Sequence, residues 1–501
     1  MVGDAIELGD LPRQRRESAG ELAQVADGSI MVRMRLELPP LLDQIVRELR
    51  AAGYRAVVVG GAVRDALLGG EPKDFDIEVY GIAYDQLAGI LARHGRVDLV
   101  GKSFGVVKLQ AGTGREYDFS VPRRDSKMGL GHRDFQTTFD NDILPREAAS
   151  RRDFTINAMA YDPVEDQLLD FFGGAEDLQN RVLRATSDAF AEDPLRVLRG
   201  MQFACRFDLT LDPGTAAMCR SISDHYPTIA RERVADEFMK RAVKSSHPGR
   251  IAEYLAASGW DVHFPEIARL EGVQQDPHWH PEGDVGTHTM LVVNAAARIA
   301  VRENLGGDDR AVLLFAALSH DFAKATTTML REREGKLRWT SWGHEAEGGP
   351  MARAFLDRIG IKSAITDRVV PMVENHLASS SIGREATPRA VRRLAMRLAP
   401  ATITDLLRLI EADHSGRPPL PTGLPEGAVR IREMAAAQAV DHGPQAPLIL
   451  GRHVMPYFDD RPGKHIGEVT AAAYEAQADG AFSTQEEAFE WLERYMAERN
   501  V

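Results

Sequence analysis

The sequence has little cysteine: only Cys205 and Cys219 occur among 501 residues. Two thiols cannot supply a disulfide framework to so long a chain, so the expected setting is a reducing cytoplasm. Both are read as small buried hydrophobes. No apolar run reaches the ~18 residues that a membrane-spanning helix needs. Residues 1–30 are polar and acidic, without the apolar segment of a secretory signal. No membrane partner is expected. An excess of positive charge is lacking as well: 61 Lys and Arg against 74 Asp and Glu give a formal net charge of −13, which argues against general adhesion to nucleic acid. A defined docking track stays open, because phosphate contacts need a local basic surface rather than a basic total. Basic residues do cluster: Arg123, Arg124, Lys127, His132 and Arg133; then Arg231, Arg233, Lys240, Arg241, Lys244 and Arg250; then Arg389, Arg392, Arg393 and Arg397.

What is present is the mix of a globular protein, 44% hydrophobic and 27% charged, long enough for about three or four domains. Residues 1–36 read as a flexible tail and 38–52 carry helical apolar spacing. AVVVGG (56–61) reads as a buried strand ending in glycines, AVRDALLGG (62–70) as a short helix, and FDIEVY (75–80) as a strand. YDQLAGILARHG (84–95) is an amphipathic helix, while FGVVKLQ (104–110) and REYDFSV (115–121) make a hairpin. Strands alternating with helices give a compact α/β head over 37–165. Residues 122–150 are polar with Gly and Pro and are expected as a long loop. After Arg151 the chain is expected to be mainly helical: a neck and body over 166–275, a His- and Asp-rich block over 276–415, and a linker with helical tail over 416–501. DPHWHPEGD (276–284) and GRPPLPTGLPEG (416–427) are the breaks. The fold class is therefore α+β.

The chemical centre is Asp74-Phe75-Asp76, after Gly60-Gly61-Ala62-Val63-Arg64-Asp65. Side chains alternate along a strand, so Asp74 and Asp76 are expected on one face. Two such carboxylates repel unless a cation lies between them. Mg²⁺, a hard ion held by carboxylates and substrate phosphates, fits that need, and such ions can activate a hydroxyl and stabilise departing pyrophosphate. Glycines let backbone N–H groups approach a triphosphate, Arg64 can grip phosphate, and Asp118 is a candidate third carboxylate. Taken whole, GGAVRDALLGGEPKDFDIEV (60–79) resembles the first motif of the class II tRNA nucleotidyltransferase and poly(A) polymerase family. RRDFTINA (151–158), DLQNR (177–181), EDPLR (192–196) and RVADE (233–237) resemble later motifs of that family, in order.

The resemblance implies a template-independent transferase acting on tRNA with CTP and ATP, and nucleotide-binding roles for Gly60, Gly61, Arg64, Arg151, Arg152, Asp153, Asn157, Asp193, Arg196 and Arg199. DLQNR resembles a flexible motif that reshapes the site between C and A addition. Asp193 can accept from the exocyclic amine of C or A while Arg196 donates to the same base edge. Three apart, the two are expected on one helical face. GKSFGVVKL (101–109) and the tail LILGR (448–452) through RPGKHIG (461–467) lean towards the CCA-adding branch. CC-adding, A-adding and poly(A)-adding relatives share the same head.

A second constellation is His288, His320-Asp321, His344, His376 and Asp413. Imidazole and carboxylate ligands together suit a divalent metal. The ordered set resembles the HD phosphohydrolase superfamily, and its fusion to this head resembles the HD-bearing bacterial tRNA nucleotidyltransferases. That implies all six as ligands of a divalent metal of open identity, activating water against a phosphorus centre, on 2′,3′-cyclic or nucleotide phosphates. Two alternatives stay open: an HD phosphodiesterase or phosphatase acting on RNA 3′ ends as the main activity, or a helical spacer without turnover.

Overall fold

The computed structural model describes residues 23–24, 30–72, 74–99, 105–112, 114–127, 135–139, 143–333, 335–459 and 461–499. They fall in two compact units: residues up to 230 with 253–260, and 231–252 with everything from 261 onward. GKSF (101–104), His132 and Arg133 lie outside the described residues.

In the first unit, a nine-stranded sheet runs Ala23–Gln24, Ile30–Arg33, Gln167–Asp170, Ala160–Asp162, Arg55–Val59, Asp76–Tyr80, Glu116–Ser120, Val106–Ala111, Gly95–Asp98. Neighbours are antiparallel except Asp76–Tyr80 beside Glu116–Ser120, which are parallel. The uninterrupted Ala56-Val57-Val58-Val59 run is buried throughout, as a central strand covered on both faces requires. Helix Pro40–Ala51 starts with proline at its first turn and buries Leu42, Ile45, Val46 and Leu49, the i, i+3, i+4, i+7 stripe of an amphipathic helix. Beyond the sheet come short elements and the helices Leu195–Phe207 and Pro213–Ser221.

Three expectations need correction. The tail is not wholly outside the fold: Ile30–Arg33 pairs with Gln167–Asp170. Residues 122–150 are not one loop, since Arg123–Lys127 and Phe135–Phe139 pair antiparallel and Pro145–Ser150 is helical. The chain after Arg151 still contributes two strands to the head sheet, so that sheet ends at Asp170 rather than 165.

The second unit is helical apart from a hairpin, Met329–Arg333 with Lys336–Thr340. Helices Val285–Arg302, Gly307–Ser319 and Ile403–Ser415 pack together. Arg310 is buried and caps the end of helix Arg231–Lys244, donating to Ala242 O at 3.2 Å and Ser245 O at 2.7 Å; a cation there also suits the negative end of the helix dipole. Helices Lys464–Asp479 and Gln485–Glu498 close a separate apolar cluster around Val454, Val469, Leu492 and Met496. The basic cluster at 389–397 is largely spent inside the fold: Arg389 and Arg393 both pair with Asp479, at 2.7 and 2.6 Å. No helix among the described residues is long and apolar enough to cross a membrane.

Candidate functional site

Register brings the first site together. Val59 stands opposite Asp76, and Asp76 stands opposite Asp118 on the parallel neighbour. The turn after Val59 therefore sits at the same end of the sheet as the carboxylates. Asp74 precedes the strand rather than lying on it, since pairing begins at Asp76. Burial raises the Asp76 pKa above its ordinary value; Asp118 and Asp74 raise it further, while Arg152 and Lys108 oppose them. One Asp118 oxygen lies 3.1 Å from Lys108 Nζ. A carboxylate made costly by burial and like charges fits a divalent cation, which would remove both costs.

Gly60 has φ of +73°, and a Cβ there would lie 3.2 Å from Arg152 Nη1. Glycine thus permits both the left-handed turn and the approach of Arg152. Arg64 is buried beneath that turn. It lies 4.4 Å over the Phe207 ring and bonds Asp65 at 2.7 Å and the Asn157 carbonyl. Its guanidinium faces these partners, which differs from the open phosphate grip expected of it. Asn157 in turn donates to Asp153 at 3.0 Å. Asp153 also accepts from Phe154 N at 2.8 Å and Arg199 Nε at 2.8 Å. Burial opposes ionisation of Asp153, yet Arg199 and these hydrogen bonds hold its pKa below the ordinary value. Arg64, Asn157, Asp153 and Arg199 thus form one hydrogen-bonded chain, with Arg152 close to the Gly60 turn.

The Asp193–Arg196 expectation is corrected in its geometry. Asp193 has extended backbone and precedes the helix, which begins at Leu195 after Pro194. Its carboxylate accepts from Leu195 N at 3.0 Å. Arg196 lies in the first turn, donating to Ala189 O at 2.7 Å and to Arg151 O at 2.8 Å. The two flank a helix start instead of sharing a helical face. Asp177 is buried, accepting from Thr155 Oγ1 at 2.7 Å and Arg184 Nε at 3.1 Å.

The second site assembles all six of its expected residues. His320 closes helix Gly307–Ser319 and Asp321 follows it. His344 opens a helix, His376 closes another, and Asp413 lies on Ile403–Ser415. Asp321 is at the centre: His320 Nε2 is 3.1 Å from one oxygen, and His344 Nε2 is 3.3 Å from the other. His288 Nε2 lies 3.2 Å from Asp413. The Nδ1 atoms of His320, His344 and His376 contact the carbonyls of Ala317, Ser341 and Val373 at 2.8, 2.6 and 2.6 Å. A carbonyl only accepts, so each Nδ1 carries the hydrogen and each neutral ring turns its Nε2 lone pair inward. His344 and His376 then face each other, Nε2 to Nε2, at 3.1 Å. His320 Nε2 is buried with no hydrogen-bond partner among the described residues, and the buried Asp321 carboxylate has the Lys324 ammonium 2.8 Å from one oxygen. Acceptor against acceptor, buried and unpaired, is an arrangement that metal ligation satisfies. Two ligand groups share Asp321, one with His288 and His320 and one with His344 and His376. The electrostatics agree. Burial and the neighbouring imidazoles of His320 and His344 push His376 down to about 3. Asp321 lies well below the carboxylate range despite burial, with the Lys324 ammonium beside it.

Three residues of this site, His280, Glu282 and Lys324, escaped the sequence. Glu282 touches His288 Nδ1 at 2.7 Å and His280 Nδ1 at 2.9 Å. It comes from the Pro/His-rich break, which reads only as an interruption. Lys324 Nζ is 2.8 Å from Asp321, and its place three residues after Asp321 was the available signal.

Comparison with known proteins gives two family matches: "Poly A polymerase head domain" over residues 56–184 and "HD domain" over 285–412. A protein of Burkholderia pseudomallei (strain 1106a) named Multifunctional CCA protein is 34% identical over 410 residues, covering 78% of this chain and 93% of that one. One of the same name from Paracidovorax citrulli (strain AAC00-1) is 35% identical over 401 residues, covering 77% and 89%. Among solved structures, the Bacillus stearothermophilus CCA-adding enzyme in complex with CTP matches with a TM-score of 0.60 at 20% identity, over 92% of this chain and 99% of that one. This last likeness is one of fold.

Proposed function

The chain belongs to the family of the multifunctional CCA proteins, and from that membership we propose that it adds C, C and A to the 3′ end of tRNA from CTP and ATP and trims phosphate ends at its HD centre. It is a nucleotidyltransferase with an HD domain. Both families are metal-dependent, and the HD centre has groups that could hold a metal ion. The observation that carries the transferase reading is the alignment of Val59, Asp76 and Asp118 across the sheet, with Asp74 and the Gly60–Gly61 turn at the same end.

In this reading Asp74 and Asp76, with Asp118 beside them, hold Mg²⁺. Divalent cations bound there would offset the charge on the attacking 3′-hydroxyl and the departing pyrophosphate. Arg152, close enough to Asp76 to stabilise its charge, is placed to steady a triphosphate, and Gly60 leaves it room. Asp153, Asn157 and Arg199 form one connected support for the sugar and base. Asp193 and Arg196 select C and A by hydrogen bonding to the amino-bearing base edge. To do so, Arg196 exchanges a backbone carbonyl for the base, a swap between equivalent acceptors. Arg241 is buried and donates to Pro248 O at 3.1 Å, so phosphate contacts that seat tRNA would come from Arg231, Arg233, Lys240, Lys244 and Arg250.

At the HD centre, His288, His320, Asp321, His344, His376 and Asp413 hold a divalent metal. A His-rich set favours a transition metal over Mg²⁺. The expected substrates are 2′,3′-cyclic and nucleotide phosphates at RNA ends, which links cleaning of an end to its rebuilding. The cytoplasm, where tRNA is processed, is the proposed location.

One experiment tests both activities. The full-length protein is incubated with Mg²⁺, CTP, ATP and tRNA lacking CCA, and separately with adenosine 2′,3′-cyclic monophosphate and a panel of divalent metals. Ordered addition of C, C, A is expected. Asp76→Ala should lose addition and keep hydrolysis; Asp321→Ala should do the reverse. Unlimited A addition would instead make it a poly(A) polymerase. Full addition by Asp76→Ala would remove the assignment of the transferase metal.

A further inference from the structure

The second unit contains a cavity of about 520 Å³ that opens on the HD centre, with Asp321, His344, His376 and Asp413 in its lining. Three tryptophans, Trp279, Trp339 and Trp342, line the same cavity. The whole chain has five tryptophans, so most of them meet at this one place. They are not core residues: Trp279 is 57% exposed, Trp339 36% and Trp342 59%. Leaving that much indole in water is costly, and clustered exposure of this kind marks a binding surface. The cavity also has cations. Lys324, Arg333 and Arg417 line it, and Arg331 lies 4.3 Å over the Trp342 ring. The Nε atoms of Arg331 and Arg417 are buried without a hydrogen-bond partner among the described residues.

Flat aromatic faces, cations and a phosphohydrolase metal site in one pocket of ligand size select a particular occupant. We infer that the tryptophan-walled side of the HD cavity is a nucleobase subsite, in which Trp342 and Trp279 stack the base of the nucleoside whose phosphate reaches Asp321. Aromatic stacking tolerates every base, since each has a π-face. The subsite therefore demands a base without choosing its sequence, which suits a centre meeting varied RNA ends. Arg331 on Trp342 braces the ring and makes it a better stacking platform. A base-free phosphoester would enter the same cavity but gain only the phosphate contacts.

The inference rests on the HD reading for what happens to the phosphate, and on the cavity alone for how the base is held. The test is therefore binding. The full-length protein, in chelator so that no turnover occurs, is titrated with adenosine 2′,3′-cyclic monophosphate while tryptophan emission is followed. Ribose 5-phosphate is the base-free probe. Adenine stacking should quench emission, and ribose 5-phosphate should neither quench nor compete at matched concentration. Trp342→Ala should raise Kd about tenfold, or about 1.4 kcal/mol, within the range for loss of one stacked base. Trp342→Phe should keep Kd within about twofold, since a ring still stacks. Absence of quenching in the wild type, an unchanged Kd in Trp342→Ala, or equal competition by ribose 5-phosphate would overturn the subsite. If binding behaves as expected but the protein with metal restored hydrolyses no phosphoester, the subsite stands and the hydrolase reading falls.

Discussion

Gly200 lies in the middle of helix Leu195–Phe207, the helix that carries Arg196 and Arg199. Its substitution by alanine tests how tightly the nucleotide-selecting segment is built. A Cβ at this position would lie 2.2 Å from Tyr254 Oη and 2.8 Å from Phe154 Cζ. Favourable carbon contacts are about 3.5–4.0 Å, so both neighbours must move. Neither moves easily: Tyr254 and Phe154 are buried, and the Tyr254 hydroxyl donates to Val197 O at 2.8 Å. Overpacking a filled core costs about 1–3 kcal/mol. Pulling the tyrosine away from its acceptor costs about another 1–3 kcal/mol. Against these, alanine in a helix interior gains about 1 kcal/mol over glycine. The net loss is about 3 kcal/mol, equivalent to a fall in Tm of about 6–12 °C for a unit of this size. Calorimetry of the full-length protein measures it, with HD turnover as the check that the second unit is intact. Nucleotide addition should suffer chiefly in KM, because a displaced helix pulls Arg199 from Asp153. Adding Tyr254→Phe removes the nearest clashing atom and should recover part of the loss, a coupling that a double-mutant cycle isolates. A Gly200→Ala protein that melts at or above the wild-type temperature would refute the reasoning.

Two further outcomes follow from the buried carboxylates. Glu282→Gln removes the charge that orients His288 and should weaken metal binding at the HD centre about 10–100-fold, as loss of an outer partner does; an unchanged metal titration would show Glu282 to be a bystander. Asp153 has a folded pKa depressed below its unfolded value, so it stabilises the fold at pH above the unfolded value of about 3.9. That contribution declines below about 3.9 and is gone once pH has fallen through the folded pKa. Denaturant midpoints of Asp153→Asn between pH 6 and 3 should therefore fall less steeply with acid than those of the wild type, and parallel curves would argue against the Arg199–Asp153 pairing.

The parts of this protein that could be read from its sequence are those whose reason is local. A run of alanine and valines ending in Gly60–Gly61 is a buried strand and a left-handed turn by its own composition, and the structure places it there. The HD ligands were readable for a different reason: His288, His320-Asp321, His344, His376 and Asp413 stand in an order that resembles the HD superfamily. Where sequence reasoning failed, the deciding contact left no mark in the composition of the segment itself. Arg123–Lys127 and Phe135–Phe139 pair with each other, yet RRDSK and FQTTF offer too little apolar alternation to announce strands. Asp193 was taken as helical because it stands three residues before Arg196, but Pro194 starts the helix after it. That leaves the Asp193 carboxylate to accept from Leu195 N, ahead of the first turn. Arg64 was read as a phosphate ligand because a guanidinium can grip phosphate with two hydrogen bonds. Asp65, Asn157, Phe203 and Phe207, three of them about 90 or more residues away, surround it instead. Glu282 shows the same limit from the other side. Nothing in HPEGD marks a metal-supporting carboxylate until the fold brings His288 within 2.7 Å of it. Local chemistry thus names the groups that can meet a metal or a phosphate, and tertiary contacts decide which of them are left free to do it.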